Sequence, residues 1–191
     1  MGHEPARLIC LRHAEAEGTT TQFAGLADPS LTARGRDQAA AAARRLRREP
    51  AGMVYASSAL RARQTAVIIA ARLGLQIEVL PALSEVAVAA PVLEAWIVHG
   101  DLGARGAEGE TGHAVATRVT AALAEIAAAC VDHPVIVVGH VASLTTAISV
   151  LCGNGPSLWG TPLPHALPFP LIREGARWHV QWPTLTTPPT V

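Results

Sequence analysis

The sequence predicts an α/β fold, a three-layer sandwich with a mainly parallel sheet and helices on both faces, on three observations. Short apolar runs alternate with longer amphipathic or alanine-rich stretches, the pattern of strands returned by crossover helices. Half of the residues are hydrophobic and only 16% are charged, the balance of a globular chain rather than a disordered one. At 191 residues there is room for one well-packed domain and too little for two. Residues 1–191 are therefore read as a single domain, with a core at about 7–152 and a loop, hairpin and tail over 153–191.

Taken in order, residues 7–11 read as a buried strand that stops at Arg12-His13. Residues 31–49 follow Asp28-Pro29-Ser30 and carry Ala and Leu at helical spacing. A second short strand covers 53–56, and a helix over 60–73 is closed by Gly74, a natural residue for a left-handed helix end. Residues 76–80 make a third strand. A helix over 111–130 is stopped by Asp132-His133-Pro134, and the strand 135–138 feeds Gly139-His140 and a helix at 142–151. Beyond it, 153–170 is rich in Gly and Pro and is expected to be one long loop. Leu171-Ile172 and 178–182 flank Arg173-Glu174-Gly175-Ala176, which predicts a terminal hairpin, and 184–191 reads as a frayed tail. The alanine run 39–43 reads as helix filler, and no internal repeat is present.

Composition removes several function classes. Net charge is zero and the pI about 7.1, so nothing draws the chain to nucleic acid or to an anionic membrane. All fifteen basic residues are arginine; without lysine, a Walker-type phosphate loop, a Schiff-base aldolase and a pyridoxal-phosphate enzyme are excluded. Cys10, Cys130 and Cys152 are too few for a disulfide framework and read as small core residues of a reduced compartment. The start, MGHEPARLIC, lacks a signal-peptide profile, and no apolar run approaches the length of about 18 residues that a membrane span needs. A cytoplasmic protein is expected.

In open parallel sheets ligands bind beyond the carboxyl ends of the strands, so the residues after each strand carry the argument. The first strand delivers Arg12, His13 and Glu15, the second Ser57, Ser58 and Arg61, the third Glu85 after Pro81, and the fourth His140. Two histidines, two arginines and a glutamate at one sheet edge suit phosphoryl transfer. A neutral imidazole with one nitrogen fixed and the other free can attack phosphorus. Guanidinium forks match phosphate oxygens, a second histidine kept protonated by phosphate adds charge without a metal, and a carboxylic acid of raised pKa can serve the leaving alcohol.

Other routes fail. Cysteine phosphatases need Cys-x5-Arg, but six residues after Cys10, Cys130 and Cys152 stand Ala16, Ile136 and Leu158. None of Asp28, Asp37, Asp101 and Asp132 belongs to an Asp pair just after a strand. There is no G-x-S-x-G elbow, and no H-E-x-x-H or H-x-H zinc pair, so no metal and no cofactor is expected.

At this point the chain resembles the histidine-phosphatase superfamily, which includes phosphoglycerate mutases and many small phosphatases. The opening motif L-x-R-H-G-E-T is similar to Leu11-Arg12-His13-Ala14-Glu15-Ala16. Asp28-Pro29-Ser30-Leu31-Thr32 with Gly35, Gln38 and Ala39 resembles the element that follows it. S-x-L-x-R-A-x-Q-T-A is similar to the run from Ser57 and Ser58 through Leu60, Arg61, Ala62, Gln64 and Thr65 to Ala66. Leu83-Ser84-Glu85, Gly109-Glu110-Thr111 and the strand ending at His140 complete six elements in order over about 7–152.

The resemblance implies a phosphoglycerate-mutase-like fold, His13 as phosphoryl acceptor, Arg12, Arg61 and His140 as the phosphate pocket, and Glu85 as proton donor. Thr19, Gln22, Glu15 and Glu110 are its candidate substrate contacts. Departures are Ala14, Val141 and Ala142 in place of glycines, expected to narrow the pocket floor, and Gly18-Thr19 where Trp-Asn is usual. An apolar segment at 86–98 stands as a short lid, which suits a partly hydrophobic or neutral leaving group. The missing basic insertion of the mutases favours a phosphatase acting on a small phosphorylated metabolite. A mutase, and a silent phosphate-ester-binding protein, remain the rival readings, and a homodimer stays open.

Some residues read as structural. Ser57 and Ser58 are expected to cap the helix after them, Arg63 to lie on a helix face, and Trp96 and Trp159 to pack. His99, His113 and His165 are expected in solvated lid segments.

Overall fold

The computed structural model describes residues 5–18, 28–86, 91–92, 95–96, 101–105, 109–130, 132–153 and 163–183. Thr19, Gln22, His99, Trp159, most of the 86–98 lid and the 184–191 tail lie outside the described residues.

The elements run β1 (Ala6–Arg12), α1 (Ala33–Leu46), β2 (Met53–Ala56), α2 (Leu60–Leu73), β3 (Gln76–Val79), a 3-10 turn (Pro81–Leu83), α3 (Gly112–Ala129), β4 (Val135–Gly139), α4 (Val141–Cys152), β5 (Phe169–Glu174) and β6 (Arg177–Val180). They build one six-stranded sheet in the order β3-β2-β4-β1-β5-β6. The pairs β1–β4, β2–β4 and β2–β3 are parallel, and β5 joins β1 antiparallel. The sheet is mostly parallel, as expected.

Alternation along β1 divides the core. Leu8 and Cys10 face one layer, where Val119, Leu123 and Ile126 of α3, Leu144 and Ile148 of α4, Phe169 and Trp96 close over them. Ile9 and Leu11 face the other, against Ala39, Ala43 and Leu46 of α1 and Ala66 and Ile69 of α2. Ala39, Ala42 and Ala43 are fully buried, so the alanine run is a packing surface rather than filler. Trp96 is buried, its indole N–H donating to Ala104 O at 2.8 Å.

Local signals fix the ends. Thr32 caps α1 by accepting from Gly35 N at 2.9 Å. Gly74 ends α2 at φ +71°, where a side chain would be strained. Gly35 has another reason: an added Cβ would lie 1.9 Å from the Glu15 carbonyl oxygen, so α1 meets the loop after β1 only through glycine.

The long loop expected over 153–170 ends earlier than that. β5 begins at Phe169, and Pro170 lies opposite Ile9 within the strand, its carbonyl accepting from Gln181 N at 3.1 Å. Before it, 163–166 run along the end of β1, with Ala166 N donating to Arg12 O at 3.0 Å. Main-chain pairing outweighs the proline content there.

Candidate active site

Register brings three strand ends to one level. Arg12 pairs with Gly139 and Ala56 with Val138, after which His13 N donates to Gly139 O at 2.9 Å and Ser57 N to Val138 O at 3.0 Å. The chain segments beyond β1, β2 and β4 therefore meet at one edge of the sheet, where α2 brings Arg61 against both histidines.

His13 is 4% exposed and His140 fully buried, their ring centroids 5.1 Å apart. His13 Nδ1 lies 2.7 Å from its neighbour's carbonyl, Ala14 O; a carbonyl only accepts, so Nδ1 carries the proton. Nε2 is then a lone pair, and Arg61 Nε donates to it at 3.1 Å. Arg61 Nη2 lies 3.2 Å from His140 Nδ1, which must also be unprotonated because a guanidinium has no acceptor. The proton of His140 is on Nε2, donated to Ser57 Oγ at 2.7 Å.

The two rings are neutral, in opposite tautomers. Burial holds the His13 pKa well below the ordinary histidine value, helped by His140, Arg12 and Arg61 against the Ala14 carbonyl. For His140, burial acts first and then Arg61, Arg12 and Arg118. These are the charge states of the free site, where the guanidiniums of Arg61, Arg12 and Arg118 disfavour a charged His140; the expectation of a protonated second histidine concerns the site with phosphate bound.

Arg12 is partly tied down, with Nη1 donating to Leu163 O at 3.1 Å; its buried Nε has no partner among the described residues. Glu85 bonds the amides that open α4. Its Oε2 accepts from Ala142 N and its Oε1 from Ser143 N, both at 2.9 Å, and Oε1 from Val86 N at 3.2 Å. His140 occupies the cap position of α4 without a side-chain cap bond, so Glu85 caps the helix from a distant part of the chain. Burial raises the Glu85 pKa, while the three amides and Arg61 pull it down.

The candidate substrate contacts divide. Glu110 is held by Arg118, Nε to Oε1 at 2.7 Å and Nη2 to Oε2 at 3.1 Å, so both of its oxygens are engaged. The same Arg118 donates Nη1 to Ala82 O at 2.8 Å and Ser84 O at 2.7 Å, fixing the turn that carries Glu85. Glu15 faces α1, with Oε1 accepting from Thr32 Oγ1 at 2.9 Å and Oε2 3.7 Å from Arg34. Thr19 and Gln22 are not among the described residues.

Some roles were not legible in the sequence. His165, expected in solvent, lies with its ring 5.5 Å from that of His13 and donates Nδ1–H to His13 O at 3.0 Å. Its carrier, 163–166, is the stretch that reads as loop. Ser57 does more than sit before α2, since Ala59 N reaches its oxygen at 3.2 Å while the same oxygen holds His140. Ser58 pairs with Ser84 at 2.8 Å, and the first amide of α2, Leu60 N, is bonded by Asp28 Oδ1 at 2.7 Å instead. Thr65, fully buried, accepts from Ala14 N at 3.0 Å and donates to Arg61 O at 2.7 Å. Arg63 and His113 are exposed, as expected.

Ala14 is fully buried and belongs to the α1–α2 core layer. Val141 is partly buried against the opposite core layer.

The model of the histidine phosphatase superfamily (branch 1) matches residues 8–181. Among solved structures, a mycobacterial hydrolase is 25% identical with a TM-score of 0.75, covering 94% of this chain and 98% of that one. A mycobacterial glucosyl-3-phosphoglycerate phosphatase is similar at 24% identity, TM-score 0.75 and the same coverages. A phosphoserine phosphatase from Entamoeba histolytica shares the fold at 18% identity and TM-score 0.80, covering 95% of this chain and 98% of its own. No curated protein matches the chain.

Proposed function

The chain belongs to the histidine phosphatase superfamily (branch 1), and from there we propose that it is a metal-independent phosphatase hydrolysing a small phosphomonoester through a phosphohistidine on His13. One observation carries the reading: His13 Nδ1–H is locked on the Ala14 carbonyl, and its Nε2 lone pair faces the guanidinium of Arg61 beside His140. The phosphatases that share this fold support it.

In the free site Arg61 covers the nucleophile. An incoming phosphate offers the guanidinium better acceptors than two neutral imidazoles, so Arg61 turns its donors to the phosphate oxygens and uncovers the lone pair. Arg12, with its unpartnered Nε, adds the second positive charge.

In the first step Nε2 forms the N–P bond while the P–O bond to the leaving group breaks. Glu85 gives its proton to the departing oxygen, and Nδ1–H stays on Ala14 O. In the second step Glu85 takes a proton from water as that oxygen bonds phosphorus and the N–P bond breaks. Phosphate leaves, and both His13 and the protonated Glu85 return. The raised pKa of buried Glu85 serves the first step, and its backbone amides stabilise the carboxylate needed for the second.

The test is a panel of phosphomonoesters assayed with chelator present, for wild type and His13→Ala, with acid-labile phosphoprotein trapped from labelled substrate. Turnover that resists chelator and falls by about 10³-fold or more in His13→Ala supports the reading. Activity that requires added metal, or that survives His13→Ala, overturns it.

A further inference from the structure

A histidine that aids phosphoryl transfer must present the same nitrogen to the phosphate in every turnover, and an imidazole has two ways to fail: ring flipping and tautomer exchange. For His13 the Ala14 carbonyl prevents both. Among the described residues no backbone carbonyl is bonded to the His140 ring; what it has on its far side is a serine hydroxyl.

We propose that Ser57 is a positioning residue that fixes the Nε2–H tautomer of His140 and so aims Nδ1 at the substrate phosphate. The kinetic consequence rests on the phosphatase reading; the tautomer assignment does not.

Arg61 Nη2 can only donate, so at 3.2 Å it requires a lone pair on His140 Nδ1. Nε2 must then carry hydrogen, and Ser57 Oγ at 2.7 Å must accept it. A hydroxyl has two acceptor lone pairs, and Ala59 N–H uses the other at 3.2 Å. With Ala59 N–H on one lone pair, the oxygen offers the other to His140 Nε2–H, a direction set by the Arg61 donor on the opposite side of the ring.

That oxygen is also immobile. Ser57 is fully buried, and its own N–H donates to Val138 O at 3.0 Å, on the strand that carries His140. Hydroxyl and imidazole are therefore held to one another through adjacent strands in parallel register. Flipping the ring would face a carbon to Ser57; exchanging the tautomer would oppose N–H to N–H at Arg61.

The arrangement holds in both charge states. When a phosphate oxygen replaces Arg61 Nη2, Nδ1 needs a proton to donate, and a phosphate monoanion carries one. Ser57 accepts from Nε2–H whether the ring is neutral or charged, so His140 changes charge without turning. Sequence position alone makes Ser57 a helix-capping serine, yet the cap position of α2 is Ala59 and has no side-chain cap bond.

The experiment compares wild type, Ser57→Ala and Ser57→Thr, each shown to be folded by its thermal transition. Long-range 1H–15N correlation of labelled histidine reads the tautomer, and p-nitrophenyl phosphate hydrolysis with inorganic vanadate as inhibitor reads the site. The expectation is Nε2–H at His140 in wild type and mixed tautomers in Ser57→Ala. kcat/KM should drop by roughly 10- to 100-fold, as when a hydrogen bond to a charged group is lost, with vanadate bound more weakly and both restored by Ser57→Thr. An unchanged Nε2–H signature in folded Ser57→Ala, or kcat/KM within about twofold of wild type, overturns the proposal. Wild type without turnover, together with the tautomer change in Ser57→Ala, would count against the phosphatase reading while supporting the role of Ser57.

Discussion

Arg61 joins the imidazoles of His13 and His140, with Nε 3.1 Å from His13 Nε2 and Nη2 3.2 Å from His140 Nδ1. One rigid planar cation is thus in register with both rings, held from outside by Asp28 Oδ1 at 3.9 Å from Nη1. A lysine ammonium, a point charge on a flexible stem, cannot reach both acceptors in a fixed geometry. Arg61→Lys is expected to lower kcat/KM about 10²- to 10³-fold, the scale for losing a preorganised donor, with little change in unfolding midpoint. An activity loss below about tenfold would mean that the fork geometry is not what matters.

Glu85 and His13 should set opposite limbs of the pH profile. In the proposed mechanism His13 acts as a lone pair and loses it only when pH falls through its depressed pKa, and Glu85 acts first as an acid and is lost as pH rises through its raised one. Between the two limits kcat/KM should form a bell. Glu85→Gln should abolish the alkaline limb and cost about 10²- to 10⁴-fold with alkyl phosphates. It should cost far less with p-nitrophenyl phosphate, whose leaving group needs no proton. Equal losses on both substrates would remove Glu85 as the acid.

Acid should destabilise the fold through the same rings. The folded pKa values of His13 and His140 are depressed, so below the ordinary value of about 6.5 the unfolded chain binds more protons. The stability they contribute is present above that value and lost as pH falls toward the folded values. Urea midpoints at pH 7.5 and 5.5 should therefore differ less in His140→Asn than in wild type. A pH dependence unaltered by the substitution would contradict the assignment.

Thr65→Val keeps shape and removes two hydrogen bonds, leaving the Ala14 amide buried without its acceptor. A loss of about 1–3 kcal/mol in unfolding free energy is expected, with kcat falling because the Ala14 peptide is the anchor of His13. Denaturant titration and steady-state kinetics on the same sample check both.

Gly35→Ala places a methyl against the Glu15 carbonyl, and the α1–loop contact must open. About 1–3 kcal/mol of destabilisation follows from such overpacking, with the β1–α1 loop displaced. An unchanged melting temperature would show that α1 can shift freely.

The strands and helices of the core were legible because burial imposes periodicity: β1 alternates between two faces, and α1 and α2 present small residues to one of them. So were Arg12, His13, Arg61, Glu85 and His140, because a parallel sheet delivers strand ends to one edge. Less legible was what each polar atom bonds. Glu110 reads as a substrate contact until Arg118, eight residues on, takes both its oxygens. The place of His165 depends on 163–166 lying along β1, a long-range pairing that Pro-rich local sequence hides. Ser57 looks like a cap because a capping serine and a histidine-orienting serine occupy the same point in the sequence.

The antiparallel seat of β5 on β1 carries a consequence for assembly order. His13 directly follows the first strand, but its carbonyl is bonded by His165, Arg12 is bridged by Leu163, and the flank of β1 is covered by β5. A chain emerging from the ribosome can form the β2–α2 corner early, yet the surroundings of His13 and Arg12 stay loose until the last hairpin docks. Competence to turn over substrate should appear late in refolding, after most helical signal has returned.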